Sequence, residues 1–201
     1  MKHLYVLIDN GHGVETKGKR SPDESILEYK YTRDLATSIY TTLLEYENIH
    51  PILVVPELQD IALSERVNRI NNYCKLYGAK NCILISLHLN AAGNGTKWMS
   101  GRGWEAYTSP ADNRSDRLAT MLYFYASNIF KNQKIRVDYS DGDPDKEGNL
   151  YIIKGANCPA VLTESFFMDN KSDVKYLLSE EGFNNIVKVH VEAIKKWQST
   201  M

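Results

Sequence analysis

Apolar and polar positions alternate between two periods along this chain. Leu4-Tyr5-Val6-Leu7-Ile8, Ile52-Leu53-Val54-Val55, Asn81-Cys82-Ile83-Leu84-Ile85 and Ala160-Val161-Leu162-Thr163 are short, nearly continuous apolar runs. Their length and β-branched content predict buried strands, over residues 4–9, 52–55, 82–87 and 160–163. Gly103-Trp104-Glu105-Ala106-Tyr107-Thr108 alternates and reads as a further strand, and Leu150–Ile153 as another short one.

Between these runs the spacing changes to the helical period. Leu27, Tyr31, Leu35, Ile39 and Leu43 predict a helix from Ile26 to Tyr46, after a helix start at Ser21-Pro22-Asp23. His50-Pro51 breaks the pattern before the next strand. Leu63-Ser64-Glu65-Arg66 opens a second helix carried by Val67, Ile70, Tyr73 and Leu76 that stops near Gly78. Asp112 to Asn132 forms a third, with Leu118, Met121, Leu122, Tyr125 and Ile129 inward. Ser172–Leu178 and Glu180–Trp197 close the chain as helices. Strands alternating with helices predict one α/β domain over residues 1–201. Its sheet would be twisted and mostly parallel or mixed, with about six strands and helices on both faces.

Composition narrows the function. A net charge of −1 without a basic stripe argues against nucleic acid as partner. Lys17-Gly18-Lys19-Arg20 is a weak basic cluster and reads as a solvated loop. Cys74, Cys82 and Cys158 lack metal or disulfide spacing and read as small buried hydrophobes. Met1-Lys2-His3 runs at once into a strand, with no signal-peptide pattern, and no run is long enough for stable membrane insertion. The expectation is a monomer, soluble at synthesis. The tract Asp141-Gly142-Asp143-Pro144-Asp145-Lys146-Glu147 resembles the start of a calcium loop. Lys146 stands where such a loop needs glycine, and flanking helices are lacking, so it reads as a solvated or groove loop.

The chemistry concentrates where strands end. The first runs into Asp9-Asn10-Gly11-His12-Gly13, the third into Ser86-Leu87-His88-Leu89-Asn90-Ala91, and the Ala160–Thr163 run into Glu164. Ligands of open α/β sheets bind past the carboxyl ends of strands. Two histidines and a carboxylate aimed at one such edge suggest a metal hydrolase. Catalytic zinc often takes two histidines and one glutamate. Glu28, in the first turn of the first helix, can supply that carboxylate, and Glu24 in the preceding loop competes with it.

These segments, in this order over roughly residues 4–197, resemble the zinc-dependent N-acetylmuramoyl-L-alanine amidases, which cut peptide stems from peptidoglycan. The family pattern is a strand into D-P-G-H-G, a glutamate heading a helix, S-x-H-x-N-A, and an apolar strand ending in glutamate. It is matched here at Asp9–Gly13, Glu28, Ser86–Ala91 and Pro159–Asn170, with support from Leu63–Arg66 and Gly103–Tyr107. Asn10 stands in place of the usual proline and Ser165 in place of a glycine.

The resemblance implies one zinc held by His12, Glu28 and His88, with Glu164 as the catalytic carboxylate. Asn90 would orient a ligand or substrate or else cap the loop, Asp9 would partner a histidine, and Ser165 would narrow the groove or touch substrate. The implied substrate is peptidoglycan, cut between N-acetylmuramic acid and L-alanine. The wall would be reached by holin-mediated release or through a signal removed from this sequence. Other zinc amidohydrolases or carboxypeptidases on the same scaffold, and a non-catalytic wall-binding module, are the alternatives. The short 91–101 loop predicts an open groove.

Overall fold

A computed structural model describes residues 2–110 and 113–201. The elements are β1 (Leu4–Asn10), α1 (Glu28–Leu43), β2 (Ile49–Leu53), α2 (Leu63–Tyr77), β3 (Cys82–Asn90), β4 (Glu105–Thr108) and α3 (Asn113–Ile129). They continue with β5 (Lys146–Glu147), α4 (Tyr151–Lys154), β6 (Ala160–Phe167), α5 (Lys171–Leu177) and α6 (Glu180–Ser199). The strands form one mixed sheet in the order β2-β1-β3-β6-β4-β5. β1 is parallel to β2 and β3, and β3 to β6. β4 runs antiparallel to β6, and β5 parallel to β4.

The two-residue period of the strands divides the core into two layers. Leu4, Val6, Ile8, Ile83, Ile85, Leu87 and Val161 point to the face covered by α1, α3 and α6. Leu7, Cys82, Leu84, Ala160 and Leu162 point to the opposite face, where α2 and α4 lie. This is the α/β architecture expected from the pattern, with helices on both faces. The three free cysteines are buried in the second layer.

Several boundaries differ from expectation. The second strand is Ile49–Leu53 and contains His50-Pro51, because β2 lies at the sheet edge, where a missing N–H is tolerated. Leu150–Ile153 is not a strand: Leu150 caps the short helix α4, and Tyr151, Ile152 and Ile153 are its first three residues. Four apolar residues between turns fit either state, and here Ile152 and Ile153 reach the second core layer as a single helical turn. On α2, Arg66, Ile70 and Cys74 are buried and Val67 and Tyr73 pack partly against the second layer, whereas Leu76 is exposed. α1 begins at Glu28 because Ser21 and Asp23 close a turn ahead of it: Ile26 N–H donates to Ser21 Oγ (2.9 Å) and Ser25 N–H to Asp23 Oδ1 (3.1 Å). The expected start of the third helix at Asp112 lies outside the described residues.

Candidate metal centre

Three neighbouring strands carry a row of polar side chains on the α2 face of the sheet. His88 of β3 pairs in register with Glu164 of β6, and Glu164 with Glu105 of β4. The other contributors approach from the ends of elements. β1 delivers His12 just past its C-terminus, and α1 delivers Glu28 as its first residue.

The His12 turn has a defined physical basis. His12 adopts φ 62°, a left-handed conformation that costs a non-glycine residue roughly 1–2 kcal/mol. Two arginines hold its carbonyl oxygen: Arg33 Nη1 donates at 2.9 Å and Arg66 Nη2 at 3.4 Å. Gly11 leaves room for the second histidine, since a Cβ there would stand 2.5 Å from His88 Cε1 and Nδ1. Glu28 is anchored at its N–H by the carbonyl of Lys19 (3.0 Å).

The structure brings His12, Glu28 and His88 together, with one ligand-type atom of each within 4.8 Å of the others. Glu28 Oε2 lies 3.5 Å from His12 Nε2. Glu28 Oε1 lies 3.2 Å from His88 Nδ1 and accepts from Leu89 N–H at 3.1 Å. The imidazoles stand edge to face, 5.2 Å apart. Glu28 is buried, and its Oε2 has no hydrogen-bond partner. A buried carboxylate set between two imidazoles, with its Oε2 orphaned beside His12, fits a cation. The nitrogen and carboxylate donors suit zinc. Glu24 instead pairs with Arg20 at 2.7 Å on the surface, away from this group.

The electrostatics follow from this packing. Burial lowers His12 to about 4, with Glu28 pulling the other way. For His88 burial also opposes charge, but the hydrogen bond and charge of Glu28 win and raise it. Burial pushes Glu28 up, yet the two histidines hold it below the usual carboxylate range. Glu164 is raised to about 7, mainly by burial and against the pull of His88. Its Oε2 is buried without a hydrogen-bond partner. A carboxyl tuned near neutrality can take a proton and return it.

The supporting candidates separate. Asp9 does not orient a histidine: it accepts from Arg66 Nη1 (2.8 Å) and Ser86 Oγ (2.6 Å) beneath the site. Asn90 both turns the loop, accepting from Ala91 N–H (2.8 Å), and donates to Glu105 Oε1 (2.6 Å). Ser165 is fully buried. By strand alternation it faces away from Glu164.

Sequence reasoning missed Arg33, Arg66 and Glu105 as parts of the site. Arg66 and Glu105 lay inside segments read as a helix opener and a strand and as supporting matches to the family, without a role for either side chain. Glu105 anchors Asn90, Tyr107, Arg136 and Lys146. A cleft of about 430 Å³ lined by His12, His88, Ile61, Leu63, Arg66 and Ile152 opens beside the group.

A family model described as N-acetylmuramoyl-L-alanine amidase matches residues 6–196. The chain is 27% identical over 192 residues to the sporulation-specific N-acetylmuramoyl-L-alanine amidase of Bacillus subtilis (strain 168), covering 95% of this chain and 67% of that protein. It is 24% identical over 195 residues to the endolysin of Bacillus phage SPP1, covering 94% of this chain and 64% of that protein. Among solved structures, the N-acetylmuramoyl-L-alanine amidase of Clostridium difficile 630 shares the fold with a TM-score of 0.84 at 21% identity, covering 100% of this chain and 99% of that one. The match over nearly the whole chain, on a fold that brings together His12, Glu28 and His88, shows that this chain belongs to the N-acetylmuramoyl-L-alanine amidase family of hydrolases.

Proposed function

We propose that this chain is a zinc-dependent peptidoglycan amidase that hydrolyses the amide between the lactyl group of N-acetylmuramic acid and L-alanine. The observation that carries the reading is the buried Glu28 carboxylate between two imidazoles, its Oε2 without a hydrogen-bond partner, with Glu164 beside His88 on the neighbouring strand. His12, Glu28 and His88 would hold the ion. Bound there, zinc would polarise the scissile carbonyl and lower the pKa of a water from about 15.7 toward roughly 7.

The chain's own groups do the rest. Glu164 accepts the proton of the attacking water on a carboxylate oxygen and then delivers it to the leaving nitrogen of L-alanine. General acid–base assistance of this kind contributes about 100- to 10,000-fold. Glu105, paired with Arg136 (2.6 Å) and Lys146, keeps Asn90 in place beside this row. Arg33 and Arg66 hold the His12 turn. The chain works as one catalytic domain and as a monomer, with the cell wall as the place of action. No helix among the described residues is long and apolar enough to cross a membrane.

The test is digestion of purified peptidoglycan with product analysis by mass spectrometry. The reading expects peptides with a free L-alanine amino end and glycans with a free lactyl carboxylate. Cuts confined to bonds within the stem peptide would favour a carboxypeptidase, and intact wall would favour a binding module.

A further inference from the structure

A second group of acids lies away from the histidines. Asp116 stands in the first turn of α3, and Asp143 and Asp145 lie in the 138–149 loop. One carboxylate oxygen of each lies within 4.8 Å of the others. The sequence predicts a solvated or groove loop here, but Asp145 is only 2% exposed. Its Oδ2 accepts from Thr108 Oγ1 at 2.6 Å, while its Oδ1 is buried with no hydrogen-bond partner, as is Oδ1 of Asp143. None of these residues takes part in the reaction proposed above.

We propose that Asp116, Asp143 and Asp145 form a second cation site, for a hard divalent ion of calcium's size, which fastens the 138–149 loop to α3 and β4. The donor set is all carboxylate oxygen, with no imidazole or thiolate, which suits calcium or magnesium rather than zinc. Calcium–oxygen distances of about 2.3–2.6 Å let three oxygens around one ion stand up to about 4.5 Å apart, close to the separation these residues already have. The electrostatics agree. Burial, the hydrogen bond shared with Asp143 and the charges of Asp143 and Asp116 push Asp145 up to about 8, against the pull of Thr108. The sequence resembles a calcium loop here only in its Asp spacing. The third carboxylate comes from a distant helix, which no local motif could show.

The site also has a reach. Lys146, next to Asp145, pairs with Glu105 in the row that contains Glu164. An ion on Asp145 therefore fixes the segment that carries Lys146 to that row.

The test uses the full chain, stripped with a chelator and reloaded with one equivalent of zinc. Melting is followed against calcium chloride and, separately, magnesium chloride, with calorimetric titration of both. The parent is expected to gain roughly 5–10 °C at a hundredfold excess of calcium over its dissociation constant, and less with magnesium. Asp145→Asn and Asp116→Asn should abolish the gain while the calcium-free variants stay folded. If Asp143 and Asp145 merely share a proton, calcium produces neither shift nor heat and Asp145→Asn melts no lower than the parent; that result overturns the proposal. So does a calcium shift that survives both substitutions, or a magnesium response as large as that to calcium.

Discussion

Glu164 stands directly across the β3–β6 pair from His88, and its Oε2 is buried without a hydrogen-bond partner. The carboxyl is thereby held near neutrality, at about 7, chiefly by burial. A proton acceptor must be ionised to act, so turnover should rise with pH through an acid limb. A cation bound by the neighbouring triad pulls this value down, so the midpoint should fall at or below 7. Measuring kcat/KM from pH 5 to 8.5 checks this, and a profile falling as pH rises through 7 would contradict it. Glu164→Gln should keep fold and metal and lose at least about 100-fold in kcat. Activity within tenfold of the parent would mean that another group moves the proton.

Gly11 is set by the His88 ring. Gly11→Ala would push a methyl into Cε1 and Nδ1 at 2.5 Å and displace the imidazole. Metal affinity should drop by roughly tenfold or more, the scale seen when a ligand's orientation is disturbed. Equilibrium zinc competition with a chromogenic chelator reads this out. Unchanged affinity would show that the ring position is not critical.

Arg66 couples the fold to the site. Its guanidinium is buried against Asp9 (2.8 Å) and the carbonyls of Asn10 (2.6 Å) and Ile61 (2.8 Å). Arg66→Met leaves the Asp9 charge buried without its ion pair and should cost roughly 3–5 kcal/mol in urea unfolding. Removing both charges, as Arg66→Met with Asp9→Asn, should recover part of that loss. A single variant with parental stability would contradict the structural role.

His190 of α6 is fully buried, with Nε2 3.0 Å from Thr163 Oγ1 and Nδ1 2.8 Å from the Ile186 carbonyl. Burial lowers it to about 4 from 6.5. A group whose folded pKa is depressed stabilises the fold above its unfolded value and loses that contribution as pH falls from 6.5 toward 4. The loss amounts to about 3 kcal/mol over that window. Denaturant unfolding of the chelated protein at pH 7 and pH 4.5 should show a steeper decline for the parent than for His190→Gln. Equal declines would place the acid sensitivity elsewhere.

The groove is open at the histidines, whose side chains are 21% and 17% exposed. The 91–101 loop is tied back by Asp169, which accepts from Gly93 N–H at Oδ2 and from Met99 N–H at its carbonyl, both at 2.7 Å. The zinc-loaded chain should therefore digest peptidoglycan without an activator, and shortening residues 94–97 should change the rate by less than about twofold. An inactive parent with an active shortened variant would make the loop a lid.

The sequence carried the residues at which buried apolar runs stop, because a histidine or glutamate there interrupts the run. His12, His88 and Glu164 were legible for that reason, although β3 and β6 run on past His88 and Glu164 to Asn90 and Phe167, and Glu28 was legible through its place at the head of a helix. What stayed hidden depends on contacts between distant segments. Asp9 reads as a histidine partner until Arg66, 57 residues on, is seen to occupy it. Ser165 reads as a groove residue, whereas the alternation of β6 turns it to the face opposite Glu164. Asp145 reads as solvated until Thr108 and Asp116 are found around it. Leu150–Ile153 failed for a different reason, since four apolar residues carry too little period to separate strand from helix.

The most direct measurement is a zinc titration of the chelated protein on peptidoglycan, read as L-alanine amino ends released per minute. Activity should be absent without metal, rise linearly and saturate at one equivalent of zinc. His12→Ala, Glu28→Ala and His88→Ala should each remove both tight zinc binding and turnover. Amino ends released at the parental rate by the chelated protein, or by Glu28→Ala, would contradict a catalytic centre built from His12, Glu28 and His88.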